Sequence, residues 1–138
     1  MNRVVFLDSA YPIALFSKRD EHHRKAWELA NELRTVKPNV VTTRAVTIEI
    51  GDSLSKVVYR QSAIEFLNAL ESDRNTEVVL LTETLYRDAF TLYQSRLDKA
   101  WGLTDCISFI VMQERGVTQA LAADEHFEQA GFVPLLRQ

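Results

Sequence analysis

"WGLTDCISFIVMQERG" (residues 101–116) sets one carboxylate, Asp105, at the mouth of a stretch that is otherwise almost wholly apolar. Cys106, Ile107, Phe109, Ile110, Val111 and Met112 leave no polar face, and Gly116 supplies a C-terminal cap. Residues 105–115 therefore read as a helix that is apolar on every side. Such a helix is stable only at the centre of a layered structure.

The rest of the chain supplies those layers. "RVVFLD" (3–8) is a short β-branched and aromatic run, the pattern of a buried strand. "NVVTT" (39–43), "EVVLL" (77–81), "TQALA" (118–122) and "FVPLL" (132–136) read as further strands. Between them the apolar period lengthens. Ala26, Leu29, Ala30 and Leu33 recur at helical spacing, and Ala63, Phe66, Leu67 and Leu70 do the same. Leu85, Ala89 and Leu92 mark another helix, and residues 44–58 one more. Strands alternating with helices predict an α/β fold: a three-layer α/β/α sandwich around a mostly parallel sheet.

With 138 residues, 46% of them hydrophobic, the chain fits one domain spanning 1–138 with a sizeable core. No apolar run approaches the ~20 residues of a membrane span, so no membrane association is expected. The opening "MNRVVFLDSAYP" is broken by Asp8 and does not read as a secretory signal. The single cysteine, Cys106, excludes an internal disulfide and suits a cytoplasmic protein. A net charge of −3 argues against a surface that attracts nucleic acid everywhere, but leaves room for a local basic patch.

Most of the 19 acidic residues lie among other charges, as in "KRDEHHRK", where a solvated face explains them. Four do not. Asp8 ends the strand "VVFL", Glu49 stands between Ile48 and Ile50, Asp105 opens the apolar helix, and Asp124 ends "ALAA". Each of the three aspartates alone has an ordinary explanation as a helix cap or a strand-end turn. Glu49 has none, because an unpaired charge among isoleucines is costly to bury. Together the four would meet at the carboxyl edge of a parallel sheet, where ligands bind in open α/β folds. Clustered carboxylates repel, and one takes up a proton unless a cation holds them ionised. Arg44 and Lys99 are the basic residues that could approach in the fold. A hard divalent cation, Mg²⁺ or Mn²⁺, answers the same need and suits phosphoryl transfer by an activated water.

These residues resemble the PIN-domain ribonucleases, and within them the VapC-type toxins of bacterial toxin–antitoxin pairs. The markers are "VVFLDSAYPIALF", "VVTTRAVTIEIGDSL", "DKAWGLTDCISFIVMQERG" and "ALAADEHFEQAGFVPLL", which together span essentially the whole chain. The resemblance puts the family's acidic quartet on Asp8, Glu49, Asp105 and Asp124, as catalytic residues and metal ligands. Ser9 and Thr104 would be hydroxyl groups that orient those ligands. It implies a Mg²⁺- or Mn²⁺-dependent endoribonuclease that leaves a 5′-phosphate on an RNA such as tRNA or ribosomal RNA. It also implies a homodimer and a small antitoxin partner whose tail reaches the acidic site. One departure is Ala122-Ala123, where many relatives carry Thr or Ser before the fourth acid.

Other residues are weighed more briefly. Arg44, Arg96 and Lys99 flank the expected edge and could contact RNA phosphates, although a solvated surface explains them equally. His22, His23 and His126 lack zinc-like spacing, and His126 is expected to pack the last helix. Trp27 and Trp101 read as core or interface. A haloacid-dehalogenase-like phosphatase would need an aspartate two residues after Asp8, and that position is Ala10. A catalytically silent module that only binds RNA or protein remains the rival to an enzyme.

Overall fold

The computed structural model describes residues 3–138. Five strands, β1 (Val4–Leu7), β2 (Asn39–Thr43), β3 (Thr76–Val79), β4 (Gln119–Leu121) and β5 (Val133–Pro134), form one sheet in the order β3-β2-β1-β4-β5. Every neighbouring pair is parallel. A parallel sheet must be covered on both faces, and its central strand accordingly reads as a continuous apolar run. β1 is that strand: Val5 and Phe6 are fully buried and Leu7 nearly so.

Seven helices join the strands: α1 (Ala10–Phe16), α2 (His23–Val36), α3 (Arg44–Ser53), α4 (Val57–Ser72), α5 (Glu83–Ser95), α6 (Leu103–Arg115) and α7 (Glu125–Gln129). Parallel crossovers are right-handed, so α1–α4 cover one face and α5–α7 the other. Contacts of α1 with α2 and α4, and of α5 with α6, follow that division. α6 packs against β2, α3 and α7. Cys106, Ile107, Ser108, Phe109, Val111 and Met112 are all buried, as the opening stretch predicts. Gly116 closes α6 in the left-handed conformation, φ 65°.

The sequence reading left α1 unmarked, and several of its bounds need correction. The helix expected over 44–58 ends at Ser53 and a new one starts at Val57. Leu54 turns into the core at 1% exposure, whereas Val57 and Val58 point to solvent at 93% and 77%. One continuous helix could not serve both. "FVPLL" is a strand only at Val133–Pro134, because Leu135 and Leu136 enter a 3₁₀ turn that buries both side chains. "EVVLL" stops pairing at Val79, and Leu80 and Leu81 are exposed. α6 begins at Leu103, two residues before Asp105, so that aspartate sits inside the first turn.

Two leftward steps, β1 to β2 to β3, are followed by a return across β1 to β4. The strand order therefore reverses between β1 and β4, the type of position at which open parallel sheets bind ligands.

Candidate active site

Asp8 follows β1 directly and is 7% exposed. Its Oδ2 accepts from the Ala10 amide at 3.2 Å, closing a turn into α1. Ser9 occupies the N-cap position of α1 but makes no capping hydrogen bond. Its hydroxyl donates instead to Glu49 Oε1. The floor beneath them is tied by Thr42 Oγ1, which donates to the Leu7 carbonyl at 2.7 Å in a fully buried contact.

Glu49 reaches the same edge from α3. The Thr43 hydroxyl accepts from the Val46 amide and caps that helix directly after β2. From this start Val46, Thr47 and Ile50 face inward, Ile48 faces solvent, and Glu49 lies half-buried between the two faces.

Asp105 occupies the first turn of α6, where Oδ2 accepts from the Gly102 amide at 3.1 Å. The carboxylate is thus a helix cap, and its charge also bears on Asp8. Asp124 caps α7 in the same manner, its Oδ1 accepting from the His126 amide at 3.1 Å. With Ala122 and Ala123 ahead of it, Asp124 is held by this helix start. No neighbouring hydroxyl takes that role.

A run of rings fixes the segments that bear the acids. Trp101 meets Phe109 edge-on at 5.1 Å, Phe109 meets Phe127 at 5.0 Å, and Phe127 lies 6.4 Å from Phe6. Phe6 is two residues from Asp8, Phe109 one turn from Asp105, and Phe127 three residues from Asp124. Trp101 is therefore core: 6% exposed, with Nε1 donating to Gln129. Trp27 is half exposed.

The electrostatics show that the four carboxylates share one field. Asp8 is pushed up to about 8, chiefly by burial, with the charges of Glu49, Asp105 and Asp124 all adding to the shift. The Ala10 amide opposes it. Asp105 is raised by burial and by Asp124, against the pull of the Gly102 amide and His126. Among the described residues no lysine or arginine pairs with any of the four. Arg44 bonds Glu71 at 2.6 Å and Thr47, and Lys99 pairs with Asp98. Arg96 grips Asp98 with two nitrogens and lies over the Trp101 ring at 5.0 Å.

His126 is the residue that sequence reasoning missed. Phe127 packs into the core, but His126 does not follow it. Its Nδ1 lies 3.1 Å from Asp105 Oδ2 and 3.5 Å from Asp124 Oδ2. The usable signal was the spacing: two residues after a helix-capping aspartate, a side chain turns back over the cap. Thr104 is half-buried, its carbonyl takes the Ser108 hydroxyl, and its own side chain makes no hydrogen bond among the described residues. Cys106 is buried, and burial together with the Asp105 charge raises its thiol, which leaves it a small core residue.

An oxygen-rich cluster, buried at Asp8 and open at Asp124, with no lysine or arginine partner among the described residues and at a reversal of strand order, is a donor set suited to a hard divalent cation. The fold and this edge define a class. The PIN domain family profile matches residues 5–133, and the chain belongs to that family. Two curated relatives are the 23S rRNA-specific endonuclease VapC20 of Mycobacterium tuberculosis, strains CDC 1551 / Oshkosh and ATCC 25618 / H37Rv. Each is 26% identical over 130 residues, covering 94% of this chain and 96% of the relative. The crystal structure of Mycobacterium tuberculosis VapC20, described as a sarcin-ricin loop cleaving toxin, superposes with a TM-score of 0.80 at 26% identity. It covers 94% of this chain and 97% of that one.

Proposed function

We propose that this protein is a metal-dependent endoribonuclease that hydrolyses RNA phosphodiester bonds to leave a 5′-phosphate, and that it is the toxin of a toxin–antitoxin pair. The observation that carries the reading is Asp8: nearly buried, without a cationic partner, and raised to about 8 by burial and three neighbouring acids. That arrangement is ionised at neutral pH only with a cation present. Asp8, Glu49, Asp105 and Asp124 would hold Mg²⁺ or Mn²⁺.

When bound, such an ion supplies charge neutralisation at the phosphate and lowers the pKa of a water nucleophile. The chain's own contribution is positioning. Ser9 aims Glu49, the Gly102 amide aims Asp105, and the start of α7 aims Asp124. Burial keeps Asp8 apart from bulk water, so its own charge is weakly screened.

RNA would approach along the groove beside Gly102. Tyr93, Arg96, Lys99 and Trp101 line this cavity of about 400 Å³. It gives cationic groups a place next to the acids, which would otherwise repel phosphate. Arg44, which opens the helix of Glu49, would have to leave Glu71 to meet a phosphate. The activity of VapC20 favours ribosomal RNA as the first substrate to try, ahead of tRNA.

Two protein partners belong to this reading. A cognate antitoxin would silence the site by bringing a basic side chain to the uncompensated carboxylates. A second copy of the chain would cover the outer stripe of α5. There Tyr86 and Phe90 are exposed one turn apart with rings 6.1 Å apart, and Tyr93 ends the stripe at the rim of the RNA groove. A stripe spaced four and three residues packs against its own copy about a two-fold axis. Among the described residues no helix is long and apolar enough to cross a membrane. A cytoplasmic location belongs to the same proposal, and the buried, free Cys106 suits it.

The test is to incubate purified protein and Mg²⁺ or Mn²⁺ with intact ribosomes and with total tRNA, then map new 5′ ends by primer extension. One or a few discrete sites, each ending in a 5′-phosphate, are expected. Unchanged RNA in both pools, under either metal, contradicts the proposal.

A further inference from the structure

His126 lies outside the four-acid arrangement in sequence logic, yet its ring stands within it. One donor atom from each of Asp105, Asp124 and His126 fits within 4.8 Å of the others. Nδ1 is 3.1 Å from Asp105 Oδ2 and 3.5 Å from Asp124 Oδ2. Two adjacent ligands on an octahedral ion with bonds of ~2.1 Å stand about 3.0 Å apart. The His126–Asp105 pair is spaced as neighbours on one ion, and Asp124 stands within reach of the same ion.

The backbone sets this up. The His126 amide donates to Asp124 Oδ1 at the start of α7, which turns the ring over the two carboxylates. Phe127, next in sequence, is fully buried against Phe6 and Phe109, so the helix start has a fixed orientation. The imidazole is about a quarter exposed, open enough to exchange a contact with Asp105 for a contact with an ion.

We propose that His126 is a specificity-determining residue of the metal site: Nδ1 joins Asp105 and Asp124 as a nitrogen ligand. This deepens the metal-site reading and rests on it. Mg²⁺ takes oxygen ligands and water, whereas imidazole is a ligand for transition-metal ions. A donor set of two carboxylates and one imidazole selects Mn²⁺ over Mg²⁺ more strongly than four carboxylates do. The ring must present Nδ1 unprotonated to the ion and carry its proton on Nε2.

The competing role is a hydrogen bond from the ring that merely positions Asp105. His126→Asn separates the two, since its amide can still donate to Asp105 but offers no ring nitrogen. Mn²⁺ and Mg²⁺ affinities are measured by calorimetry on wild type and His126→Asn, and pulsed EPR of bound Mn²⁺ is recorded for both. A ¹⁴N coupling of imidazole type is expected in wild type and absent from the variant. Mn²⁺ binding should weaken about tenfold or more in the variant, with Mg²⁺ binding changed less than about threefold. Bound Mn²⁺ without nitrogen coupling in wild type, or equal weakening for both metals, overturns the inference and leaves the acids as the site. Wild type that binds neither metal overturns the site reading itself. The wild-type spectrum decides the matter even if the variant folds poorly.

Discussion

The Ser9 hydroxyl donates to Glu49 Oε1 across forty residues of sequence, joining the end of β1 to the second turn of α3. Ser9 is 7% exposed and leaves its own helix uncapped to make this contact. A serine that forgoes a cap worth about 1 kcal/mol is spent on orientation. Partners of metal ligands typically contribute 10–100-fold in affinity or activity. Ser9→Ala should therefore lose roughly tenfold in metal affinity and cleavage rate. Titration calorimetry and initial rates on the same RNA check this. Ser9→Thr, which keeps the hydroxyl, should recover part of the loss.

Asp8 links the site to stability. Its carboxyl lies near 8 in the folded chain, against an ordinary 3.8. The folded state then binds a proton that the unfolded state has released, so stability falls as pH rises through that interval. Without metal, the melting temperature of wild type should drop between about pH 4 and pH 8 and level off above. Asp8→Asn should lack this component and melt above wild type at pH 8. Saturating Mn²⁺ should raise wild type and leave Asp8→Asn nearly unmoved. Thermal melts in three buffers, with and without metal, provide the comparison.

Lys99 offers a purely electrostatic prediction. It lines the groove next to Gly102 and, among the described residues, pairs only with exposed Asp98. Removing one phosphate contact lowers the salt dependence of binding by about one in slope. Lys99→Ala should weaken RNA binding by a similar factor for every sequence and flatten log Kd against log salt by about that amount. Fluorescence anisotropy with an RNA hairpin and Asp8→Asn protein, which binds without cutting, gives the slope directly. An unchanged slope removes Lys99 from the RNA path.

The α5 stripe should respond to one charge. Phe90→Glu places a carboxylate between Tyr86 and Tyr93, at the middle of the face assigned to a second copy. Light scattering should report a dimer for wild type and a monomer for the variant. Melting of wild type should rise with protein concentration and that of the variant should not, because association stabilises the folded chain.

Much of this was legible in the sequence because period and context carry it. The all-apolar 105–115 stretch predicts the buried helix, and "NVVTT" matches β2 residue for residue. The four acids stood out because their neighbours are apolar, and the structure brings their charges to bear on one carboxyl. The misses have physical causes. α1 is a seven-residue helix carrying Pro12, too short to show a period. The break at 54–56 depends on which side chain the core can accept, a tertiary decision. His126 was set with Phe127 as packing because adjacent residues look alike in a five-residue helix, although they leave it in different directions. The pairing of Arg44 with Glu71, and of Arg96 and Lys99 with Asp98, is long-range or conformational and has no sequence signature.

The central claim is that four carboxylates with no lysine or arginine partner make this chain a metal-dependent ribonuclease. The most direct measurement is cleavage of purified ribosomal RNA by wild type and Asp8→Asn, prepared identically, in Mg²⁺, in Mn²⁺ and in EDTA. The account predicts discrete fragments with wild type and metal, none in EDTA, and at least a hundredfold less with Asp8→Asn. Equal cleavage by both proteins, or cleavage that survives EDTA, would contradict it.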